Sequence, residues 1–173
     1  MVQSVELLLD DATDAKIRAQ WQALARAGLP SLARNQAETN RPHITAAVAD
    51  EIWPRVDRAL ERSLEFSPIP VRLGGVVVFG GHRAILVRLV VPSEALLQLH
   101  RQIYELVRTS RGVAAHTAPG EWTPHITLAR RVGPEQIGPA VSTVLRARDM
   151  AGSVVGIRRW DGENRREWLI ASG

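Results

Sequence analysis

Apolar residues follow two patterns along this chain, short runs of strand length and longer stretches with helical spacing. Apolar runs bounded by Gly, Pro or Asp predict β-strands, and apolar residues three and four apart predict amphipathic helices. The predicted strands cover residues 2–9, 42–49, 68–79, 84–91, 124–130, 153–160 and 165–170. The predicted helices cover residues 10–26, 51–64, 93–109 and 135–148. Each half of the chain then has a strand, a helix and a second strand, and two pairs of strands follow each other directly, which predicts an α+β fold.

The pattern also repeats. The tetrapeptide Pro-His-Ile-Thr occurs at residues 42–45 and again at 124–127, an offset of 82 residues. At that offset other apolar positions coincide too, such as Val5 with Val87 and Leu7 with Leu89. We therefore predict one bilobal domain over residues 1–173, with repeat halves of about 1–79 and 80–173. Two antiparallel-rich sheets would face each other across a cleft, with helices outside and a pseudo-twofold axis relating the two motifs.

Composition narrows the class of protein. The chain has 173 residues, 45% of them hydrophobic, and no cysteine, which excludes disulfides, thiol nucleophiles and cysteine metal sites. We find neither an apolar run of about 18 residues, which a membrane span requires, nor the pattern of a signal peptide. These features predict a cytoplasmic protein that does not enter membranes, and we expect a monomer.

The charge is carried almost entirely by arginine. Net charge is +4, and Lys16 is the single lysine among 22 cationic residues. Because the planar guanidinium grips phosphate in two-point contacts, this composition favours RNA ends or nucleotides as partners. A GC-rich genome would give the same bias.

The repeated motif carries the candidate chemistry. Side chains alternate along a strand, so His43 and Thr45 face one way, as do His125 and Thr127. One imidazole can accept a proton while the other donates one, and the hydroxyls can bind phosphate oxygens. Phosphodiester chemistry of this kind requires no metal. A metal site is the weaker alternative, because each motif supplies only one good ligand.

Several other residues need a prediction of their own. Arg130 could bind phosphate, but an odd offset from His125 turns it to the opposite face unless the strand ends or bulges near Leu128. Trp122, just before the second motif, is expected in the core, but it is also the aromatic residue with a possible role in base stacking. His100 is expected on the surface of a helix. Two further histidines lie near turns or loops: His116 in the loop before the second motif, which could approach the cleft, and His82 in a turn at Gly80-Gly81.

With these motifs in view, a family becomes recognisable. Residues 124–130 are similar to the His-x-Thr-Leu-x-Arg form of the two-histidine phosphoesterase superfamily. Residues 73–79, which end in Phe79, resemble that family's inter-lobe strand. The chain thus resembles the superfamily's 2′-5′ RNA ligase / RNA 2′,3′-cyclic phosphodiesterase branch. The first motif departs from the pattern, because it continues Ala46-Ala47 and has no counterpart of Arg130.

The resemblance implies hydrolysis of a cyclic phosphodiester without metal or cofactor. It implies that His43 and His125 act as acid and base, that Thr45 and Thr127 bind phosphate, and that Arg130 assists. For hydrolysis we expect His125 as base and His43 as acid, although the motifs themselves are symmetric. Expected substrates are 2′,3′-cyclic phosphates at RNA 3′ ends or on nucleotides. Two alternatives stay open: another small cyclic nucleotide or ADP-ribose cyclic phosphate as substrate, or a non-catalytic RNA- or nucleotide-binding module.

Overall fold

A computed structural model describes residues 2–80, 83–147 and 150–173. The predicted turn at Gly81, His82 and the predicted helix end at Arg148 lie outside the described residues. The strands are β1 (Gln3–Leu9), β2 (His43–Ala49), β3 (Ile69–Phe79), β4 (Ala84–Val90), β5 (His125–Val132), β6 (Met150–Asp161) and β7 (Arg166–Ser172). The α-helices are α1 (Asp11–Arg26), α2 (Pro54–Ser63), α3 (Glu94–Val107) and α4 (Pro134–Val144). The predicted α+β class is confirmed.

The strands form one antiparallel sheet rather than two separate ones. Its order is β2-β1-β6-β3-β4-β5, and β7 also pairs with β6. The long strand β6 joins the side of the sheet that contains β1 and β2 to the side that contains β3, β4 and β5. Its first half pairs with β3, and its second half pairs with β1 and β7. The sequence could not reveal this bridge, since strand periodicity does not tell which strands pair.

The helices cover one face of the sheet and exchange partners between the sequence halves. Helix α1 packs against α4 and β5, whereas α3 packs against α2 and β2. Each motif strand is thus covered by a helix from the other half of the sequence. This interleaving supports the proposal that residues 1–173 are one unit. None of the helices in the described ranges is long and apolar enough to cross a membrane.

Local sequence explains where the helices begin. The Asp10 carboxylate accepts a hydrogen bond from the Thr13 amide, and the Ser93 hydroxyl accepts one from the Leu96 amide. These side chains satisfy amides that the first turn of a helix leaves free. Helix α2 begins at Pro54, three residues later than the pattern predicts, because proline suits a first helical position.

Both motif strands contain a bulge at the same point. Along β2, Thr45 pairs with Glu6 and Ala47 with Val5, so Ala46 is the extra residue. Along β5, Thr127 pairs with Val87 and Ala129 with Leu86, so Leu128 is the extra residue. Each bulge follows the threonine of its motif and re-aims the rest of the strand.

The offset of 82 residues holds for the motifs but not for the strands beside them. Val5 pairs with Ala47 and faces the helices, whereas Val87 pairs with Thr127 and faces the other side. The offset that preserves the faces of β1 and β4 is 81, because the connection from β4 to β5 is one residue longer. The predicted match of Val5 with Val87 was therefore wrong by one position.

Candidate active site

The two motifs meet at the edges of the sheet. Strands β2 and β5 end the strand order, yet they contact each other across the curved, unclosed sheet. The isoleucine of each motif is fully buried on the helix side. His43, Thr45, His125 and Thr127 therefore share the face that the helices leave free. The charge of His43 lowers the pKa of His125, as expected for two groups in one cleft.

Both imidazoles are anchored in the same way. Nδ1 of His43 lies 2.7 Å from the Arg41 carbonyl oxygen, and Nδ1 of His125 lies 2.7 Å from that of Thr123. A carbonyl oxygen only accepts hydrogen bonds, so Nδ1 carries the proton in both rings. Each Nε2 is thereby left to accept a proton when the ring is neutral, or to donate one when it is charged.

A buried carboxylate lies beside the first histidine. The Glu6 Oε1 atom is 3.6 Å from His43 Nε2 and accepts a 2.6 Å hydrogen bond from Ser4. Its Oε2 atom lies 2.7 Å from both Nε and Nη2 of Arg158. Burial alone would raise the pKa of Glu6, but the charges of His43 and Arg158, with these hydrogen bonds, hold that pKa below its usual range.

The second histidine has a different environment. Its ring meets Phe79 edge to face, with the ring centres 5.0 Å apart. Burial lowers the pKa of His125 below its usual value, and the charges of Arg130, His43 and His116 lower it further. These contributions outweigh the hydrogen bond to Thr123, which raises the pKa. His125 is thus poised to be neutral at a pH where an ordinary histidine is partly charged.

The bulge at Leu128 returns Arg130 to the cleft face. Ala129 and its partner Leu86 are buried on the helix side, and a second irregularity places Arg130 and Arg131 opposite Ile85, which faces the same side as Val87 and Thr127. Arg130 is exposed, and its charge acts on His125. The sequence required a strand end or a bulge near Leu128 for Arg130 to face the cleft. The structure has a bulge there.

The prediction for His100 was wrong, and the structure gives Trp122 a structural role. His100 is buried, not on the surface: its ring stacks on Trp122 with centres 3.9 Å apart, and Nε2 donates to the Thr117 carbonyl oxygen at 2.9 Å. The same stack occupies one face of Trp122, whose indole donates to the Thr45 carbonyl oxygen. Trp122 therefore supports the motif strand and packs against the core, as expected for a core aromatic residue.

No three histidine, aspartate or glutamate side chains within residues 2–80, 83–147 and 150–173 cluster in a way that could hold a metal ion.

Comparison with known families agrees with this arrangement. A family model described as the 2′-5′ RNA ligase superfamily matches residues 13–163. The chain belongs to the 2′-5′ RNA ligase superfamily. No curated protein matches the chain in sequence.

Solved structures similar to this superfamily member span nearly its whole length. The protein TT0787 of Thermus thermophilus has a TM-score of 0.61 at 21% identity, covering 99% of this chain and 96% of that one. Escherichia coli LigT complexed with 3′-AMP has a TM-score of 0.56 at 16% identity, covering 96% and 95%. Kluyveromyces marxianus Usb1 with uridine monophosphate has a TM-score of 0.57 at 13% identity, covering 98% and 97%. At these identities the likeness shows the fold.

The sequence analysis did not identify Glu6, which lies beside the first motif, and did not predict that Phe79 contacts the second motif. Glu6 is the single charged residue within the apolar run of β1, which was the available signal for a buried carboxylate with a partner. Phe79 was interpreted only as the end of a strand, and its contact with His125 depends on the pairing of β3 with β4.

Proposed function

We propose that this member of the 2′-5′ RNA ligase superfamily is a metal-independent phosphodiesterase that hydrolyses 2′,3′-cyclic phosphates at RNA ends or on nucleotides. The observation that carries the proposal is the pair of identically anchored histidines, each with a threonine on the same cleft face and an Nε2 atom that makes no hydrogen bond within the described residues. The coarser assignment, a phosphodiesterase-type enzyme, follows from the family.

In the proposed reaction, neutral His125 accepts a proton from water at Nε2 while the water oxygen attacks phosphorus. The bond from phosphorus to one ribose oxygen breaks, and protonated His43 gives its Nε2 proton to that oxygen. The products are a phosphomonoester and a free hydroxyl group, and the two histidines end with their protonation states exchanged. A proton then passes between them through solvent to restore the starting state.

Charge that develops on the phosphate is stabilised from both strands. The hydroxyls of Thr45 and Thr127 donate hydrogen bonds to the nonbridging oxygens, and Arg130 adds a positive charge from the β5 side only. The position that corresponds to Arg130 in β2, two residues after the bulge, is Val48. The proposed phosphate site is thus one-sided in charge.

Ligands named for the similar structures support a nucleotide substrate. Uridine monophosphate accompanies Usb1 and 3′-AMP accompanies LigT, and both carry a ribose phosphate. The arginine-rich composition of this chain suits such anions. A cytoplasmic location and a monomeric state stay predictions.

A screen in EDTA tests the proposal and separates the substrate classes. Its members are 2′,3′-cyclic mononucleotides, oligonucleotides that end in a 2′,3′-cyclic phosphate, and ADP-ribose 1″,2″-cyclic phosphate. We expect turnover of the first or second class. Turnover of ADP-ribose 1″,2″-cyclic phosphate alone would show that the substrate is not an RNA end or a nucleoside 2′,3′-cyclic phosphate. Tight binding of all three classes without turnover would indicate a binding module.

A further inference from the structure

The two halves differ in charge at matching positions around the histidines. The residue paired with the motif threonine is Glu6 in the first half and Val87 in the second. The residue two positions after the bulge is Val48 in the first half and Arg130 in the second. A negative group thus lies beside His43 and a positive group beside His125, and each is replaced by valine in the other half.

The carboxylate of Glu6 is buried and shares its guanidinium partner with a second carboxylate. Arg158 is 3% exposed and binds two carboxylates, those of Glu6 and Glu167, and it also donates to the Thr39 carbonyl oxygen at 3.1 Å. Arg158 is thus shared between Glu6 and a partly exposed carboxylate. A protonated His43 supplies a further cation beside the buried Glu6 carboxylate, whereas a neutral His43 does not.

The charged groups around His43 come from three strands. Glu6 faces it from β1, Arg158 lies behind Glu6 on β6, and His125 shares the cleft from β5. Among the residues that the structure describes, Oε1, the Glu6 oxygen on the His43 side, accepts a hydrogen bond from the neutral Ser4 hydroxyl alone, while Arg158 binds Oε2. The attraction toward His43 is therefore not cancelled by a cation on the same oxygen.

We propose that Glu6, fixed by Arg158 and Ser4, is a positioning residue that keeps His43 protonated and thereby makes His43 the acid and His125 the base. The inference rests on the proposed function and deepens it, because it states how a symmetric pair of motifs acquires two different roles. An opposite charge within about 4–6 Å favours the charged form of a histidine by about one pH unit or more. The Arg130 side of the cleft has the opposite effect on His125.

The test is Glu6→Gln, which removes the charge and keeps the size. The substitution leaves Arg158 paired with Glu167, so no buried cation is stranded. The His43 ring is followed by NMR in the substrate-free protein, its signal assigned by comparison with His43→Gln. We expect His43 to lose its proton at a lower pH than in the wild type, and the alkaline limb of the pH–rate profile to move to lower pH with it. Glu105→Gln is the control, because Glu105 is exposed and pairs with Arg108.

An unchanged His43 titration in a folded Glu6→Gln protein would overturn the inference, even if the variant is less stable, because a purely structural role leaves that titration in place. If Glu6→Gln does not fold, the same NMR titration of His43 is made in the double variant Glu6→Val with Arg158→Met, and an unchanged titration would again overturn the inference. Apolar residues often replace a buried ion pair without loss of stability, and valine copies Val87. If no cyclic phosphate is hydrolysed by the wild type, the proposed function fails, while the NMR titration still decides the effect of Glu6.

Discussion

The Trp122 indole donates a 2.8 Å hydrogen bond to the main-chain carbonyl oxygen of Thr45, in the other half of the sequence. Trp21 does the same for Thr127, with a distance of 3.0 Å. Both carbonyl groups directly precede a bulge, where the regular ladder of the sheet is interrupted. Each half thus supports the motif strand of the other, with an indole N–H in place of a ladder partner.

Replacing either tryptophan by phenylalanine should destabilise the fold. Each variant leaves a carbonyl oxygen without its donor, at a cost of about 1–3 kcal/mol where the group is buried. Trp21→Phe should be the worse of the two, because Trp21 is 2% exposed and its loss also opens a core cavity. Urea unfolding measures the effect, with Trp53→Phe as control since that ring lies over Arg55. Losses no larger than in the control would show that the indole bonds contribute nothing.

Stability should fall as the pH is lowered from about 7 towards 5, because of His100. Burial lowers the pKa of His100 in the folded state, against hydrogen bonds to Thr117 and Ala46 that raise it. The unfolded chain therefore takes up a proton at about pH 6.5, where the folded chain still resists it, so stability is lost as the pH falls. His125 contributes in the same direction.

The variant His100→Gln keeps an N–H donor and does not titrate, so its stability should depend less steeply on pH over this range. The matched control is His116→Gln, because His116 is exposed. Thermal unfolding from pH 5 to pH 8 measures both. Equal slopes in the wild type and His100→Gln would contradict the assignment. Carboxylates with lowered pKa values, such as Asp10, change the stability only at lower pH and do not affect its pH dependence between pH 5 and pH 7.

Two substitutions at Arg130 should separate its charge from its geometry. Arg130→Ala removes a charge that lowers the pKa of His125, so the acidic limb of the pH–rate profile should move to higher pH. Arg130→Lys keeps the charge and loses the planar two-point contact, so the limb should stay while the rate falls. Arg131→Lys, at the exposed neighbouring position, is the control. Full activity in both Arg130 variants would remove this residue from the site.

The sequence predicted elements and motif faces well, because both depend on local periodicity. The helix from Asp11 and the strand from His43 begin within a residue of their predicted starts. What it could not supply were relationships between distant strands. The bridge through β6 and the pairing of Glu6 with Thr45 depend on strand order and register, which local patterns do not encode.

The sequence also could not predict which polar side chains are buried. His100 lies at a helical position that sequence alone does not distinguish from a surface position, and its burial follows from the Trp122 stack. For Arg130, by contrast, the sequence stated which structural feature its role would require. The odd offset from His125 made a bulge necessary for a role in the cleft, and the register places one at Leu128.

The central claim is that His43 and His125 act together on one cyclic phosphodiester. The most direct test is metal-free hydrolysis of an oligonucleotide ending in a 2′,3′-cyclic phosphate, by the wild type, His43→Ala, His125→Ala and the double variant. We predict a loss of about 10²- to 10⁴-fold in turnover for each single variant, the usual contribution of a positioned acid or base. The double variant should be scarcely slower, because the pair acts as a unit. Wild-type turnover in either folded single variant would contradict the account.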